Sequence, residues 1–500
     1  MSNLYNHFQQ AQPQHHKNIL FTQNSNYSFN NIDAFSGRLA HILSHLGMKP
    51  GDRLAAQVEK SEYNLFLYLA CLRSGFIYLP LNSTYTEEEL SYFFNDAKPK
   101  IIVCEPKKEC AISNIKAASN SIIKTLDEKG QGSLTSKINE VLNNSHDVYS
   151  AKPDETAVIL YTSGTTGKPK GAMITHQGLL CNAQDLNKVW GIVENDVILH
   201  MLPLFHVHGL FFAFHTALLS GASTILLPKF DVEQFFKYLP KSTVFMGVPT
   251  YYTRLLNDDR LNQNTCQHMR LFISGSAPLL PSTFENFQSR TGHTLLERYG
   301  MTETGINASN PLNDARKVGT VGLPLPSVDI RVVNDNNESV SLNEVGHIQI
   351  KGNNLFKGYW MKSDKTKEDF TDDGYFRTGD LGTWDKDGYL SIVGRSKDMV
   401  ITGGLNVYPK EIEVTIDGIN GVTESAIIGI PHPDFGEAVV AVIEGDQSRV
   451  GESLVIEMVK QRHAAYKCPK KVVFVNQLPK NTMGKVQKNI LREQFLEIFI

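Results

Sequence analysis

The sequence has few cysteines and no excess of charge of either sign. Its 500 residues include six cysteines, none of them in a C-x-x-C pair. Scattered cysteines argue against a zinc site or a disulfide framework and fit a reducing compartment. With 49 Lys and Arg against 52 Asp and Glu, the net charge of −3 creates no field that would draw the protein to nucleic acid. Any anionic ligand must therefore be held by local groups.

Long apolar runs are also absent. No run reaches the ~18–20 residues that a membrane span requires. The segment Met1–Lys17 is polar and lacks both the apolar core of a signal peptide and the arginines of a mitochondrial transit peptide. We therefore expect a cytoplasmic protein that binds neither nucleic acid nor a membrane.

What the sequence does contain is a long alternation of apolar strands and amphipathic helices. Residues Ile32–Leu46 carry apolar side chains at helical spacing, and Gly47 follows as a stop signal. Strands are predicted at Arg53–Val58, Lys100–Cys104, Thr156–Tyr161, Val197–Met201, Ser223–Leu227, Thr243–Met246 and Leu271–Ser274. Short strands alternating with helices predict an α/β fold whose sheets are largely parallel and flanked by helices.

The length of the chain predicts more than one domain, because a single core stops growing near ~250–300 residues. Near Leu323 the pattern changes, and Val328–Val333 and His347–Lys351 predict a β-rich subdomain. A polar break, Gly394–Asp398, separates two strands and precedes a final stretch with its own strands and helix. We predict a large N-terminal domain at 1–394, a hinge at 395–398 and a small, mobile α+β domain at 399–500.

The densest local signal is the segment Tyr161–Gly171, YTSGTTGKPKG, which follows an apolar strand. Glycines let backbone N–H groups approach phosphate oxygens, hydroxyls add donors and lysines neutralise charge. It is not a Walker A loop, because only two residues separate Gly164 from Gly167 and a proline follows the lysine. The segment predicts a polyphosphate-binding loop of another kind.

Several motifs in order make the chain resemble the adenylate-forming superfamily, which includes acyl-CoA synthetases, peptide-synthetase adenylation domains and luciferases. After the loop YTSGTTGKPKG come Tyr299–Thr304 (YGMTET), Tyr375–Asp380 (YFRTGD), Gly394–Asp398 (GRSKD) and Pro479–Lys485 (PKNTMGK). The resemblance covers nearly the whole chain. It implies an enzyme that uses ATP, Mg²⁺ and coenzyme A, in which a carboxylate attacks the α-phosphorus of ATP and pyrophosphate leaves.

The resemblance also implies roles for individual residues. Thr302 would donate to the α-phosphate, and Glu303 would bind Mg²⁺ together with Thr166. Asp380 would accept hydrogen bonds from the ribose hydroxyls, and Arg395 would hold the ribose or a phosphate. The pyrophosphate would be held by Thr162, Ser163, Gly164, Thr165, Thr166, Gly167 and Lys168. The remaining nucleotide contacts would come from Gly275, Ser276, Ala277, Pro278, Glu297, Arg298, Tyr299, Gly300 and Met301.

The C-terminal motif supplies the expected catalytic cation, Lys485, which would bridge the carboxylate and the α-phosphate. Lys397 would be the hinge pivot, and rotation about it would bring Gly403 and Gly404 against the pantetheine channel for coenzyme A. Acetylation of Lys485 by a lysine acetyltransferase would remove the charge that adenylation needs.

Two arginines predict the class of acid. Arg254 and Arg298 flank the expected acid site, and a guanidinium can bind a carboxylate through two parallel hydrogen bonds. With the segments around His206, Ser274 and Ser276, they make the chain resemble malonyl-CoA synthetases. The resemblance implies malonate, with methylmalonate as a second substrate. All five residues would contact the acid, with the two arginines on its far carboxylate.

The residue at position 305 departs from this resemblance. Glycine stands there, where the family pattern has a bulkier residue. The smaller side chain predicts a wider acyl pocket.

Three alternatives stay open at this point. The enzyme could act on another short acid, such as acetate, propionate or an aryl acid. It could instead load a carrier protein in trans, or it could be a non-catalytic nucleotide sensor on the same fold. The presence of Lys485, Glu303 and Asp380 argues against a sensor. The sequence predicts no oligomeric state.

Overall fold

The computed structural model describes residues 3–12, 14–141, 146–162 and 169–499. Across these ranges the chain forms two large sheets packed with helices, a four-stranded antiparallel sheet and a five-stranded C-terminal sheet. The predicted α/β class, with a β-rich region and a small α+β region, is confirmed.

The largest sheet has nine strands and is parallel through its centre, with antiparallel strands at both edges. In spatial order its strands are Leu323–Pro324, Gly305–Ser309, Leu296–Met301, Leu271–Ser274, Val244–Gly247, Val197–His200, Ser223–Leu226, Asn18–Phe21 and Asn26–Ser28. Parallel strands are buried on both faces, which is why they appear in the sequence as unbroken apolar runs.

The second large sheet has six strands and ends in an antiparallel hairpin. Its order is Ile122–Thr125, Ile101–Cys104, Arg53–Gln57, Ile77–Pro80, Thr156–Thr162 and Lys170–Thr175. The last two strands flank the predicted phosphate loop in the sequence.

Helices pack against both large sheets and close their cores. They span Leu4–Gln10, Phe29–His45, Glu62–Ser74, Glu87–Ala97, Glu109–Ser113, His176–Trp190, Phe214–Ser220, Val232–Tyr238, Pro249–Leu256, Gln263–Cys266 and Pro281–Thr291. The helix predicted from Ile32 begins earlier, at Phe29, because Ser28 and Asn31 form a capping box. Among the described residues, no helix combines the length and apolar character needed to cross a membrane.

The two smaller sheets lie in the last third of the chain. The four-stranded sheet runs in the order Val328–Val333, Gly346–Gly352, Phe376–Trp384 and Leu390–Arg395. The C-terminal sheet contains Leu405–Val407, Val400–Thr402, Gly436–Gly445, Val422–His432 and Lys471–Val475. The helices of this part of the chain are Ser363–Glu368, Pro409–Asp417, Glu452–Arg462 and Lys488–Gln494. The domain boundaries at 394 and 399 stay a prediction.

The C-terminal lysine motif packs against the N-terminal part of the chain. Met483 is 4% exposed and belongs to the same apolar cluster as the cores of the large sheets. A Cβ on the neighbouring Gly484 would lie 3.1 Å from Thr250 Cγ2, so the loop that carries Lys485 lies close to the carboxyl end of strand Val244–Gly247, which is the usual position of ligand crevices in open α/β sheets.

Candidate active site

Three predicted nucleotide residues meet around one carboxylate. Asp380 lies directly opposite Arg395 in the antiparallel ladder, and Arg395 Nε is 2.7 Å from Asp380 Oδ1. The Tyr299 hydroxyl donates to Oδ2 of the same carboxylate. Asp380 raises the pKa of the Arg395 guanidinium, and burial together with Asp380 raises the pKa of the Tyr299 hydroxyl. Asp380 is therefore a fixed hydrogen-bond acceptor at the base of the crevice.

The turn after strand Leu271–Ser274 brings the predicted adenine segment against Arg298. Ser276 has a φ of 72°, an uncommon conformation for a residue with a side chain. Its Oγ accepts a hydrogen bond from Arg298 Nη2 at 3.4 Å and lies 3.2 Å from His208 Nδ1. A Cβ on Gly275 would lie 2.4 Å from Arg298 Nε, so this position requires glycine. The segment continues through Ala277 and Pro278.

Arg298 is a buried cation without a carboxylate partner among the described residues. It is 4% exposed, and its guanidinium lies 5.3 Å from the centre of the Phe212 ring. Arg298 Nε and Ser274 Oγ are buried atoms without a hydrogen-bond partner in this part of the chain. Burial lowers the pKa of Arg298 to about 9. An unpaired buried cation costs folding free energy, so this arrangement favours an anion from solution.

Two histidines surround this cation in their neutral form. Burial, and then the nearby Arg298 charge, lower the pKa of His206 to about 4 and that of His208 well below its ordinary value. His206 Nδ1 accepts a hydrogen bond from the backbone N–H of His208 at 3.2 Å. Neutral imidazoles can orient an anion on Arg298 without adding to the charge.

Glu303 is buried at the turn that follows Gly300 and Met301. Its Oε1 accepts hydrogen bonds from the Tyr359 hydroxyl at 3.1 Å and from Thr162 Oγ1 at 3.4 Å. Burial raises the pKa of the Glu303 carboxyl, and no described lysine or arginine forms an ion pair with it. The neighbouring Thr302 faces a small cavity.

The predicted phosphate loop is described only at its ends. Ser163, Gly164, Thr165, Thr166, Gly167 and Lys168 lie outside the described residues, and so do their predicted contacts. At the ends of the hairpin, the Tyr161 hydroxyl donates to Asp96 Oδ2 and the Tyr92 hydroxyl donates to the Pro169 carbonyl, both at 2.6 Å. The two strands that carry the loop are thus anchored to helix Glu87–Ala97.

The Lys485 loop is ordered by its own asparagine. Asn481 Oδ1 accepts hydrogen bonds from the backbone N–H groups of Met483 and Lys485, both at 3.0 Å. Lys485 is still reached by solvent. Partial burial by the surrounding protein, together with repulsion from Arg395, lowers its pKa to about 8. The charges of Arg395 and Asp380 act on this pKa in opposite directions, the first lowering it and the second raising it.

Four other predicted residues are exposed to solvent. Arg254 is exposed on the last turn of helix Pro249–Leu256. Lys397 is exposed in the turn after Arg395, and partial burial lowers its pKa. Gly403 and Gly404, with φ of 56° and 78°, form a two-residue hairpin turn whose tip is exposed.

Glu297 precedes Arg298 on strand Leu296–Met301. It is buried, and burial raises its pKa to about 7, although the Lys410 charge acts in the opposite direction. Its Oε1 accepts a hydrogen bond from the backbone N–H of Leu279 at 3.4 Å. Glu297 therefore contacts the residue that follows the adenine segment.

Two residues around the site were not predicted from the sequence. Phe212 lies against Arg298, and Tyr359 lies against Glu303. Neither belongs to a local motif, and the contact between Tyr359 and Glu303 joins residues 56 apart. A buried tyrosine needs a partner for its hydroxyl, which is the one signal that could have indicated Tyr359.

Known proteins resemble this chain over nearly its whole length. A malonate–CoA ligase of Arabidopsis thaliana is 37% identical over 453 residues, which cover 84% of this chain and 74% of the relative. A long-chain-fatty-acid–CoA ligase of Mycobacterium tuberculosis is 32% identical over 468 residues, covering 93% and 92%. The ATP-bound crystal structure of MatB from Rhodopseudomonas palustris is 47% identical, with a TM-score of 0.97 and full coverage of both chains. The apo structure of the same MatB has a TM-score of 0.86, with the same identity and coverage.

Family models match both parts of the chain. Residues 7–360 match the AMP-binding enzyme model, and residues 411–485 match the model of the AMP-binding enzyme C-terminal domain. These matches confirm the resemblance seen in the motifs. The chain therefore belongs to the family of AMP-binding enzymes.

Proposed function

We propose that this protein is an ATP-dependent acid–CoA ligase that converts malonate to malonyl-CoA and releases AMP and pyrophosphate. The observation that carries the choice of acid is the buried Arg298, which has no carboxylate partner among the described residues. Malonate has a second carboxylate that can pair with this guanidinium while the first one reacts. A monoacid would leave the cation unpaired.

The relatives support this choice of acid without deciding it. A ligase named for malonate and one named for long-chain fatty acids match the chain at similar identity. A fatty acid needs a long apolar tunnel, whereas here Arg298, Ser276 and the neutral His206 and His208 form a polar pocket. The chemistry of the pocket therefore favours the dicarboxylate. Arg254, which is exposed, stays a predicted second contact.

The first half-reaction would form malonyl-adenylate. One malonate oxygen attacks the α-phosphorus, the bond from that phosphorus to the bridging oxygen breaks, and pyrophosphate leaves. Lys485 and Thr302 would stabilise the charge that develops on the α-phosphate and its attacking oxygen. Asp380 would hold the ribose, while the loop residues Thr162–Lys168 would hold the departing pyrophosphate.

The environment of Glu303 fits a divalent cation. Its carboxylate is buried beside Thr162, at the entrance to the phosphate loop, and no described cation pairs with it. A hard ion such as Mg²⁺ suits carboxylate and phosphate oxygens, and Glu303 with Thr166 would hold it. When bound, the ion supplies positive charge to the phosphate oxygens.

The second half-reaction would use another arrangement of the C-terminal part. The Lys485 loop is packed into the N-terminal core, and the chain is more similar to ATP-bound than to apo MatB, which supports a state poised for adenylation. Rotation about Lys397 would withdraw Lys485 and bring Gly403 and Gly404 to the crevice. The sulfur of coenzyme A would then attack the acyl carbon and AMP would leave.

A small cavity supports methylmalonate as a second substrate. It has a volume of ≈ 20 Å³ and is lined in part by Val207, Phe212, Thr302 and Gly305. Phe212 also contacts Arg298, so the cavity adjoins the acid pocket. A methyl group on the central carbon of malonate could enter it without displacing a charged group.

A pyrophosphate-release screen of the purified enzyme tests the proposal. Malonate, methylmalonate, acetate, propionate and octanoate are each supplied with ATP and Mg²⁺, with and without coenzyme A. We expect malonate to give the highest kcat/KM, and AMP and malonyl-CoA to form in equal amounts. Turnover of acetate or propionate equal to that of malonate would contradict the dicarboxylate assignment. Malonyl-AMP formation without saturable use of free coenzyme A would favour the carrier-loading alternative.

Two further predictions concern the location of the protein in the cell and its covalent modification. Some malonate–CoA ligases that resemble the chain are named as mitochondrial, so the cytoplasmic location stays a prediction from the sequence. Acetylation of Lys485 would abolish its positive charge, and we expect it to stop pyrophosphate release.

A further inference from the structure

Tyr359 connects three parts of the site that are distant in sequence. It is 4% exposed, and its hydroxyl donates to Glu303 Oε1 at 3.1 Å. Lys170, on the strand that leaves the phosphate loop, places its Nζ 4.5 Å from the centre of the Tyr359 ring. Lys170 is 8% exposed and forms no ion pair with a described carboxylate, and its charge lies over the face of the Tyr359 ring.

The backbone around Tyr359 is held on both sides. Met173 donates to the Gly358 carbonyl at 3.0 Å, and Trp360 donates to the Gly171 carbonyl at 2.7 Å. On the other side, Phe356 donates to the Glu303 carbonyl at 2.8 Å. These bonds fix the Tyr359 ring between the phosphate-loop strand and the turn that carries Glu303.

The two hydrogen bonds from side chains to the Glu303 carboxylate fall on one oxygen. Tyr359 and Thr162 both donate to Oε1, and no hydrogen bond from another described side chain reaches Oε2. A carboxylate held by one oxygen keeps a fixed rotation and presents the other oxygen in a defined direction. Partners of this kind orient metal ligands and raise metal affinity.

We infer that Tyr359 is a positioning residue for the metal site: its hydroxyl fixes Oε1 of Glu303 so that Oε2 faces the cation of the metal–nucleotide complex. The inference rests on the proposed function only in assigning the cation to Glu303. It adds a residue from the segment after strand Gly346–Gly352 to Thr162 and Glu303, the other described residues of this site.

The substitution Tyr359→Phe removes the hydroxyl and keeps the ring under Lys170. The chain offers a matched control in Tyr5→Phe. The Tyr5 hydroxyl donates to Asp33 at 2.6 Å and its ring lies 4.7 Å from the Arg73 guanidinium, so it repeats the tyrosine, carboxylate and cation arrangement. Tyr5 has no contact with the predicted nucleotide residues.

Binding is measured without turnover, by electron paramagnetic resonance of Mn²⁺ with an ATP analogue whose α,β-bridging oxygen is a methylene. We expect Tyr359→Phe to weaken Mn²⁺–nucleotide binding about tenfold, near the lower end for such partners. The Mg²⁺ concentration for half-maximal pyrophosphate release should rise by a similar factor, with the KM for malonate unchanged. Tyr5→Phe should change neither metal quantity.

A second variant separates positioning from packing. Incorporation of 3-fluorotyrosine at position 359 keeps the hydroxyl and the ring, and we expect Mn²⁺ binding within about twofold of the natural enzyme. Unchanged Mn²⁺ binding in a folded Tyr359→Phe would overturn the inference, as would equal weakening in Tyr5→Phe. If Tyr359→Phe does not fold, weak Mn²⁺ binding by the fluorotyrosine enzyme would overturn it. Failure of the natural enzyme to turn over malonate would reject the proposed substrate and leave the metal measurement valid.

Discussion

Replacing Arg298 with methionine tests the proposed substrate and the electrostatics of the pocket together. Methionine keeps much of the side-chain length and removes the charge. Arg298 is buried against Phe212 and lacks a carboxylate partner among the described residues. The variant therefore removes the group that the second malonate carboxylate would need, without breaking an ion pair between Arg298 and a described carboxylate.

The structure predicts that Arg298→Met lowers the activity of the enzyme but raises its stability. Loss of one partner of a buried, hydrogen-bonded charge pair costs about 2–5 kcal/mol, so kcat/KM for malonate should fall about 30- to 4,000-fold. The free enzyme should become more stable by roughly 1–3 kcal/mol, because a buried cation is replaced by an apolar group. The pKa of Arg298 is lowered to about 9, so below this pH the cost of burying its charge is fully present.

Pyrophosphate release with malonate and propionate, and urea unfolding of the free proteins, measure both effects. We expect kcat/KM for malonate to fall by this factor while kcat/KM for propionate changes little, so that the preference for the diacid disappears. Malonate turnover within about threefold of the natural enzyme would refute the reasoning, since a pair worth 2 kcal/mol already predicts a larger loss. A variant less stable than the natural enzyme would refute the unpaired-cation argument.

Four further predictions concern the Lys485 loop and the acyl pocket. Lys485→Ala should slow adenylation by about 10²–10³-fold while leaving thioester formation from supplied malonyl-adenylate intact. Because the pKa of Lys485 is lowered to about 8, kcat/KM for ATP should fall as pH rises through this value. Lys485→Arg should abolish this decrease. Gly484→Ala, at a φ of 77° and with its Cβ 3.1 Å from Thr250 Cγ2, should slow adenylation about tenfold; Gly451→Ala, with open space around it, is the control. Val207→Leu should fill the cavity beside Thr302 and lower methylmalonate turnover about fivefold relative to malonate, whereas equal effects on both acids would contradict the cavity assignment.

The core strands were predictable from the sequence because burial on both faces leaves a continuous apolar run. The prediction at Leu271–Ser274 agrees with the structure at both ends, and Arg53–Val58 differs by one residue. The N-terminal helix Leu4–Gln10 was not predicted. Leu4, Tyr5 and Phe8 are its only fully buried apolar side chains, and the glutamines and histidines around them hide the pattern.

The candidate site was predictable where its residues belong to motifs and not where they meet only in space. We expected the nucleotide to be bound by Tyr299, Asp380 and Arg395. In the structure, Asp380 contacts both of the other residues. Arg254 and Arg298 were equivalent in the sequence, yet one is exposed and the other buried, since only Arg298 lies on a strand inside the sheet. The role of the residues at 163–168 stays a prediction.

The burial of Met483 has a consequence for the energetics of the reaction cycle. Withdrawing Lys485 would pull this side chain out of the core and return it to water, at a cost of about 1.5–3 kcal/mol. Ile401, Leu405 and Phe435 are 49%, 49% and 37% exposed on the C-terminal part, which gives the alternative arrangement apolar surface to bury in exchange. The two arrangements can therefore differ little in free energy, so that the ligand present, rather than a large intrinsic preference, selects between them.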